Sequence, residues 1–449
     1  MLKQMYVGFF MAIQAINGFL SSTLIQDHEI EQVFQANHLS DTGQYILMVE
    51  PCLSSHVQIN EALKKGYIPV VLNANSDHRK IPEKVLEKVA LKFEVDTNDD
   101  EKVINMVKRL KKYIHFSAVV PGSEYYVPLT AKVAQELHLL GLTPEAALRA
   151  RRKDLMRESL TQRGVQNPLF QKVSDPKNLS LALKKVGCPC IIKPIDFAGS
   201  VNVKKVHNVD EAEAAFKAIL AHKGVDKEWG NRKIENAVLV EEYICGPEYS
   251  IEGFVNKQKI NVVSMTEKFL SPEPDFVEVG HVVRGQLPSH SETIEKYIQA
   301  VVEALELDYG PFHAEVRISD KGPVLMEIAM RLAGDYIPRL IELATGVNYY
   351  ENNFLLLMGQ SLKLDRPKNT NIGITFFYRP DVEKINSNQY FHQILSRKDV
   401  LDAKPYYQEG DTIPAMPMEK HKLGYAIVEG QDVETLKKSM EEIEAKAQF

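Results

Sequence analysis

Two alternating runs, residues 312–318 and 324–330, flank the turn sequence Ser319-Asp320-Lys321-Gly322-Pro323 and read as one β-hairpin. Paired antiparallel about Lys321, the strands place Glu315 directly opposite Glu327. Alternation then sets His313, Glu315, Arg317 and Glu327 on one face and Ala314, Val316, Ile318, Val324, Met326 and Ile328 on the other. The second face is core. Two facing carboxylates repel unless something positive sits between them, and an all-oxygen pair suits Mg²⁺. A solvated face neutralised by Arg317 satisfies the same pattern. Arg331, four residues past Glu327, adds a cation where a transferring phosphoryl group would need one, or an ordinary surface ion pair.

At roughly 100–200 residues per domain, 449 residues allow two to four domains. A net charge of -6 sets nucleic acid aside, because binding a phosphate polymer needs concentrated Lys and Arg. Four cysteines without a C-x-x-C fit a reducing cytosol. An apolar run over residues 6–25 is interrupted by Gln14, Asn17 and Gly18 and falls short of the ~20 residues a membrane helix needs. Residues 1–40 are expected to be an extension packed on the body or partly disordered, with a cleaved signal as the alternative.

Strands at 45–50, 67–72 and 118–121, with helices at 55–65 and 99–113, predict an open α/β domain over 41–142. Its loops 51–55 and 122–126 fall at strand ends, the default ligand position. Thr143 caps a helix that has Pro144 at its first position. Residues 143–244 read as a small α+β lobe with strands at 190–194, 201–206 and 237–243. Residues 245–365 read as a larger antiparallel sheet, with strands at 248–255, 259–266, 276–283, 312–318 and 324–329 and a helix at 291–305. A C-terminal α/β segment, 366–449, has strands at 372–378 and 422–429 and a charged helix at 432–446.

The common nucleotide and hydrolase signatures are missing: there is no G-x-x-x-x-G-K-[ST], no G-x-G, no H-E-x-x-H and no G-x-S-x-G. Lys193 instead ends an apolar strand before a loop with Gly199 and Ser200, which can offer an ammonium and backbone N–H groups to phosphates; a hairpin with a snorkelling lysine is the plainer reading. Lys153 lies at a basic helix start, which taken alone reads as a solvent-facing one. Glu241, Glu242, Tyr243 and Ile244 close another apolar strand, and Glu248 follows a Cys-Gly-Pro turn. Acids there suit a purine amine and ribose hydroxyls, as they suit a wet sheet face.

In this order and spacing the pieces resemble the ATP-grasp superfamily over about residues 45–449. The resemblance implies an α/β and α+β chain with the ATP-grasp fold: an N-terminal open α/β domain, two ATP-grasp lobes and a C-terminal segment of the large lobe. It implies ATP phosphates on Lys153, Lys193 and the Gly199–Ser200 loop, adenine at Glu241 and the backbone of Glu242, Tyr243 and Ile244, ribose at Glu248, and Mg²⁺ (or Mn²⁺) on Glu315 and Glu327. Asn202 stands where many relatives have a phosphate-loop glycine, and Ala329 where many have a third, Asn metal ligand.

Phe276-Val-Glu278-Val-Gly-His281 and the run from Glu327 to Asp335 are similar to L-amino-acid ligases that make dipeptides. By that resemblance Glu278 and His281 lie near a substrate amino group and Arg331 stabilises an acyl-phosphate. Alternation puts Glu278 and His281 on opposite faces, but Gly280 permits a bulge that joins them; a buried Glu/His pair bonded to backbone is the other reading. The implied protein is a cytoplasmic homodimer that joins small amino-acid substrates at the cost of ATP and binds neither nucleic acid nor membrane. An aminoribonucleotide or bicarbonate acceptor, a peptide acceptor, or a noncatalytic nucleotide binder are the alternatives.

Overall fold

The computed structural model describes residues 20–21, 27–36, 43–273, 276–288, 291–414 and 418–447. Most of the 6–25 apolar run lies outside them. Of the N-terminal extension, Leu20–Ser21 adds an edge strand and helix Asp27–Ala36 buries Ile30 and Val33, so its described part packs on the body.

The N-terminal sheet is wholly parallel. Its order is Leu20–Ser21, Leu91–Glu94, Ile68–Asn73, Tyr45–Val49 and Phe116–Pro121. Tyr45–Val49 is buried along its whole length, as a strand covered on both faces must be, which is why it reads as an unbroken apolar run. The chain moves from Tyr45 towards Leu91 and then returns to the other side of Tyr45–Val49 with Phe116. The loops after Val49 and Pro121 therefore part at a switch point, where α/β sheets bind ligands. Gly122 is needed there: a Cβ on it would stand 1.9 Å from the Glu50 carbonyl oxygen.

The small lobe is a four-stranded antiparallel sheet in the order Phe170–Val173, Val238–Glu242, Cys190–Pro194 and Lys204–Val206. Helices Leu179–Val186 and Val209–Leu220 cover it. The strand expected over 201–206 shrinks to Lys204–Val206, because Ser200 and Asn202 take left-handed backbone at φ 56° and 57° and turn the chain. Asparagine tolerates that region, so Asn202 supplies the conformation a glycine would.

The large sheet is antiparallel and has eight strands: Gly322–Ala329, Tyr309–Ser319, Glu248–Asn256, Lys259–Leu270, Glu278–Val283, Asn371–Tyr378, Lys422–Gly430 and Val400–Pro405. The C-terminal strands thus extend the same sheet. Helices Ser291–Leu305 and Ile337–Thr345 pack against it, and Tyr349–Leu357 lies between it and the N-terminal domain, with Phe354 and Leu357 packed beside Ile46 and Met48.

Glu315 pairs with Glu327 as expected, but the register then slips and Val316 pairs with Leu325. Met326 is the extra residue of a β-bulge. This corrects the simple alternation: Leu325 joins Val316 in the core, and Met326 turns to the opposite side, where it lines the cleft described next.

Gly122→Ala is expected to destabilise the protein by about 2 kcal/mol through forced backbone displacement. Denaturant unfolding checks this; an unchanged midpoint would show that the two loops do not touch.

Candidate active site

A cleft opens between the small-lobe sheet and the large sheet. Its walls include Lys153, Lys193, Ser200, Glu241–Ile244, Glu248, Lys268, Glu278, Glu315, Arg317, Met326 and Glu327, so most of the residues singled out in the sequence meet there. Among the described residues that define the cleft, Gly199, His281 and Arg331 are missing.

At the centre is Lys268, which the sequence reading passed over. Its Nζ lies 2.7 Å from Glu278 Oε1, 2.7 Å from Glu315 Oε1 and 3.1 Å from Glu248 Oε1. Burial opposes the charge on Lys268, but Glu278, Glu315 and Glu248 overcome it and raise its pKa well above the ordinary lysine value. Each carboxylate has a second cationic neighbour: Arg317 Nε at 3.0 Å from Glu248, His281 Nε2 at 3.3 Å from Glu278 and His313 Nε2 at 3.4 Å from Glu315. Burial pushes the Glu315 carboxyl up, yet Lys268 and then His313 hold it at about 2; the Glu278 carboxyl is likewise held well below its usual range by Lys268 and His281.

A second cluster fixes the small lobe to the large one. Glu241 accepts from Arg157 Nε at 2.7 Å and lies 2.6 Å from Lys193 Nζ, while Arg157 also donates to the Met326 carbonyl at 2.8 Å. Burial raises the Glu241 carboxyl, and Arg157 and Lys193 bring it down to about 2. Both Glu241 oxygens are thus engaged by cations. The side chain that the resemblance assigns to adenine is buried and ion-paired here, and Glu242, Tyr243 and Ile244 line the cleft with it beside Ile191, Val203, Leu270 and Met326.

Lys153 reaches Glu327 Oε2 at 3.0 Å and donates to the Phe197 carbonyl at 2.8 Å. Glu315 and Glu327 therefore face each other across the hairpin, each with a lysine beside it rather than only Arg317 as sequence reasoning had it. Two carboxylates on opposed register positions of one cleft wall fit a hard divalent cation that keeps other ligands for phosphate and water. Ala329, opposite His313 and buried, offers no third side-chain ligand.

The bulge expected at Gly280 exists. The pairing slips between Phe269 and Leu270, matching Gly280 and then Glu278, and it brings Glu278 within 3.3 Å of His281. His281 is fully buried; burial disfavours its charge, but Asp335 and Glu278 raise its pKa. Asp335, also 2.9 Å from Lys422, completes an acid–histidine–acid group whose ligand atoms lie within 4.8 Å of one another. Arg331 turns the other way: it donates to Glu124 of the N-terminal domain at 3.1 Å and to the Leu332 carbonyl at 2.9 Å. Glu124, buried, is held at about 2 by Arg151 and Arg331 against its own desolvation.

Residues 186–339 match the ATP-grasp domain family. The alanine–anticapsin ligase of Bacillus subtilis strain 168 is 26% identical over 266 residues, 54% of this chain and 54% of that protein. The chain matches a little over half the length of its curated relatives, 54–58% in the first three. An L-amino acid ligase structure from Bacillus licheniformis superposes with TM-score 0.74 at 19% identity, covering 91% of this chain and 98% of that one. A carboxyaminoimidazole ribonucleotide synthase from Aspergillus clavatus, solved with ATP, superposes with TM-score 0.68 at 14% identity, covering 90% and 99%. The chain carries an ATP-grasp domain and has the ATP-grasp fold. Among the described residues no helix is long and apolar enough to cross a membrane.

Glu241→Gln leaves Arg157 and Lys193 buried without their anion and is expected to cost about 3–5 kcal/mol at neutral pH. A carboxyl held at about 2 instead of 4.5 stabilises fully above pH 4.5 and loses that contribution as pH falls towards 2. The stability gap between parent and variant should narrow over that window in urea titrations; a gap independent of pH would contradict the assignment.

Proposed function

We propose that this chain is an ATP-dependent carboxylate–amine ligase that joins two L-amino acids, or an amino acid and a small amine or peptide, through an acyl-phosphate. The carrying observation is the Lys268 cluster, which brings Glu248, Glu315 and Glu278 to one ammonium. In this reading those three residues are the ribose ligand, a metal ligand and the acceptor ligand, so nucleotide, transferring phosphate and substrate meet around one cation.

The cleft supplies the rest. The adenine lies against Ile191, Val203, Leu270 and Met326 with its edge on the backbone of 242–244, while Lys153, Lys193 and the 199–200 backbone take the phosphates. Bound at Glu315 and Glu327, Mg²⁺ would offset charge building on the transferred phosphoryl group. Lys268 is a further cation facing that group. A substrate carboxylate oxygen attacks the γ-phosphorus, the bond to ADP breaks, and ADP leaves with its electron pair. The amine of the second substrate, in its unprotonated form, then attacks the acyl carbon, the C–O bond to phosphate breaks, and the departing phosphate takes the proton that the nitrogen loses.

Carboxylate is a poor electrophile and phosphate a good leaving group, so ATP is spent on the first exchange. Glu278, held anionic by Lys268, suits orienting an ammonium better than removing its proton. Arg331, paired with Glu124, would answer the acyl-phosphate charge once substrate draws it inwards.

The test is ADP and phosphate release with Mg²⁺ and ATP over the twenty L-amino acids, singly and in pairs, with mass spectrometry of the products. A pair that stimulates release and yields the summed mass less one water supports the proposal, and Glu327→Gln should then lose turnover with its melting temperature kept. Release driven by an aminoribonucleotide or bicarbonate, or ATP binding with no stimulation at all, would replace it with a different acceptor or with a noncatalytic binder.

A further inference from the structure

The 195–203 loop, which carries Ser200, Val201 and Val203 to the cleft, is held at three successive residues. Asp196 lies 2.9 Å from Arg151 Nη2 and 3.3 Å from Arg232 Nη1, and its carbonyl accepts from Arg232 Nη2 at 2.7 Å. The Phe197 carbonyl accepts from Lys153. The Ala198 N–H donates at 3.1 Å to the hydroxyl of Tyr125, a residue of the N-terminal domain. Beyond it the loop runs through left-handed backbone at Gly199, Ser200 and Asn202.

Tyr125 is itself fixed from all sides. Its ring is contacted by the guanidinium groups of Arg232 at 4.0 Å and Arg151 at 4.8 Å, the two arginines that clamp Asp196. Trp229 packs edge-on against it at 4.7 Å, and the Trp229 carbonyl accepts from Asn98 Nδ2 at 2.8 Å, which ties the small-lobe hairpin Val225–Asp226 and Arg232–Lys233 to the N-terminal domain. Burial pushes the Tyr125 phenol up to about 12 although Arg151 and Arg232 act to lower it, so the hydroxyl stays neutral. The residue before it, Glu124, holds Arg331 and Arg151. One turn, Glu124–Tyr126, therefore touches both the loop that edges the cleft and Arg331.

We propose that Tyr125 is a positioning residue: from the N-terminal domain its hydroxyl holds the Ala198 N–H and keeps the 195–203 loop down on the nucleotide, in step with the Arg331 contact made by Glu124. The inference rests on the ligase reading for what the loop covers, and on the geometry alone for the tether. A loop released at Ala198 would open more often, bind nucleotide more weakly and admit water to the reaction.

Tyr125→Phe keeps the ring against the two arginines and removes only the hydroxyl. On the full chain, amide hydrogen exchange is followed across 195–203 without nucleotide and with Mg·ADP, beside the melting temperature and the Kd of Mg·ADP. The variant should exchange Ala198 roughly tenfold faster, the effect of one lost hydrogen bond, and bind Mg·ADP several-fold more weakly at an unchanged melting temperature. Parent-like exchange at Ala198 with Mg·ADP binding intact would overturn this inference alone, as would faster exchange spread over the whole domain. A parent chain that binds no Mg·ADP would overturn the ligase reading and with it the role given to the loop.

Discussion

A single buried ammonium organises the cleft-lining face of the large sheet. Lys268 sits in the middle of the eight-stranded sheet, with Glu248 and Glu278 on the strands either side of its own and Glu315 one strand further. Removing such a charge from water costs several kcal/mol, repaid only when opposite charges and hydrogen bonds are placed closely. Here three anions do so, and their surplus is answered in turn by Arg317, His281 and His313. The arrangement is all-or-none: a one-residue slip of any strand would turn its acid into the apolar core. Preorganised cations in a cleft shielded from water are also what a phosphoryl transfer requires, so the interaction that constrains the sheet is the one its chemistry would use.

The Glu241 cluster plays the corresponding part between lobes. Arg157 leaves the linking helix Lys153–Gln162 to bind both a small-lobe acid and a large-sheet carbonyl. Helix, small-lobe sheet and acidic hairpin are thereby joined at one fully buried guanidinium. The N-terminal domain adds a third point of contact through Glu124 and Tyr125. Its switch-point loop reaches Arg331 of the large lobe and Ala198 of the small one, so the parallel sheet is tied to both.

Much of this was legible in the sequence, and the rest was hidden for identifiable reasons. Strand Cys190–Pro194, helix Ser291–Leu305 and the Thr143 cap followed from local pattern, as did the Glu315–Glu327 register and the bulge beside Gly280. Lys268 was missed because the strand reading stopped at Thr266, where apolar alternation ends, while the strand runs on to Leu270. The signal was present in Ser264, Thr266 and Lys268, a polar period of two that a buried polar face would leave. Met326 moved because a bulge leaves no mark in composition. Helix Tyr349–Leu357 is buried on nearly every side, Asn352 and Asn353 included, so its sequence shows no 3.6-residue apolar stripe. Glu124 and Arg331 meet across 207 residues, a pairing that no local pattern encodes.

The proposed reaction forms an acyl-phosphate beside Lys268. The direct measurement uses the amino acid that most stimulates ADP release, labelled with ¹⁸O in its carboxylate, and follows the label during turnover. Transfer of one ¹⁸O from that carboxylate to inorganic phosphate is the predicted result. Phosphate that carries no label, with the amide still formed, would contradict it.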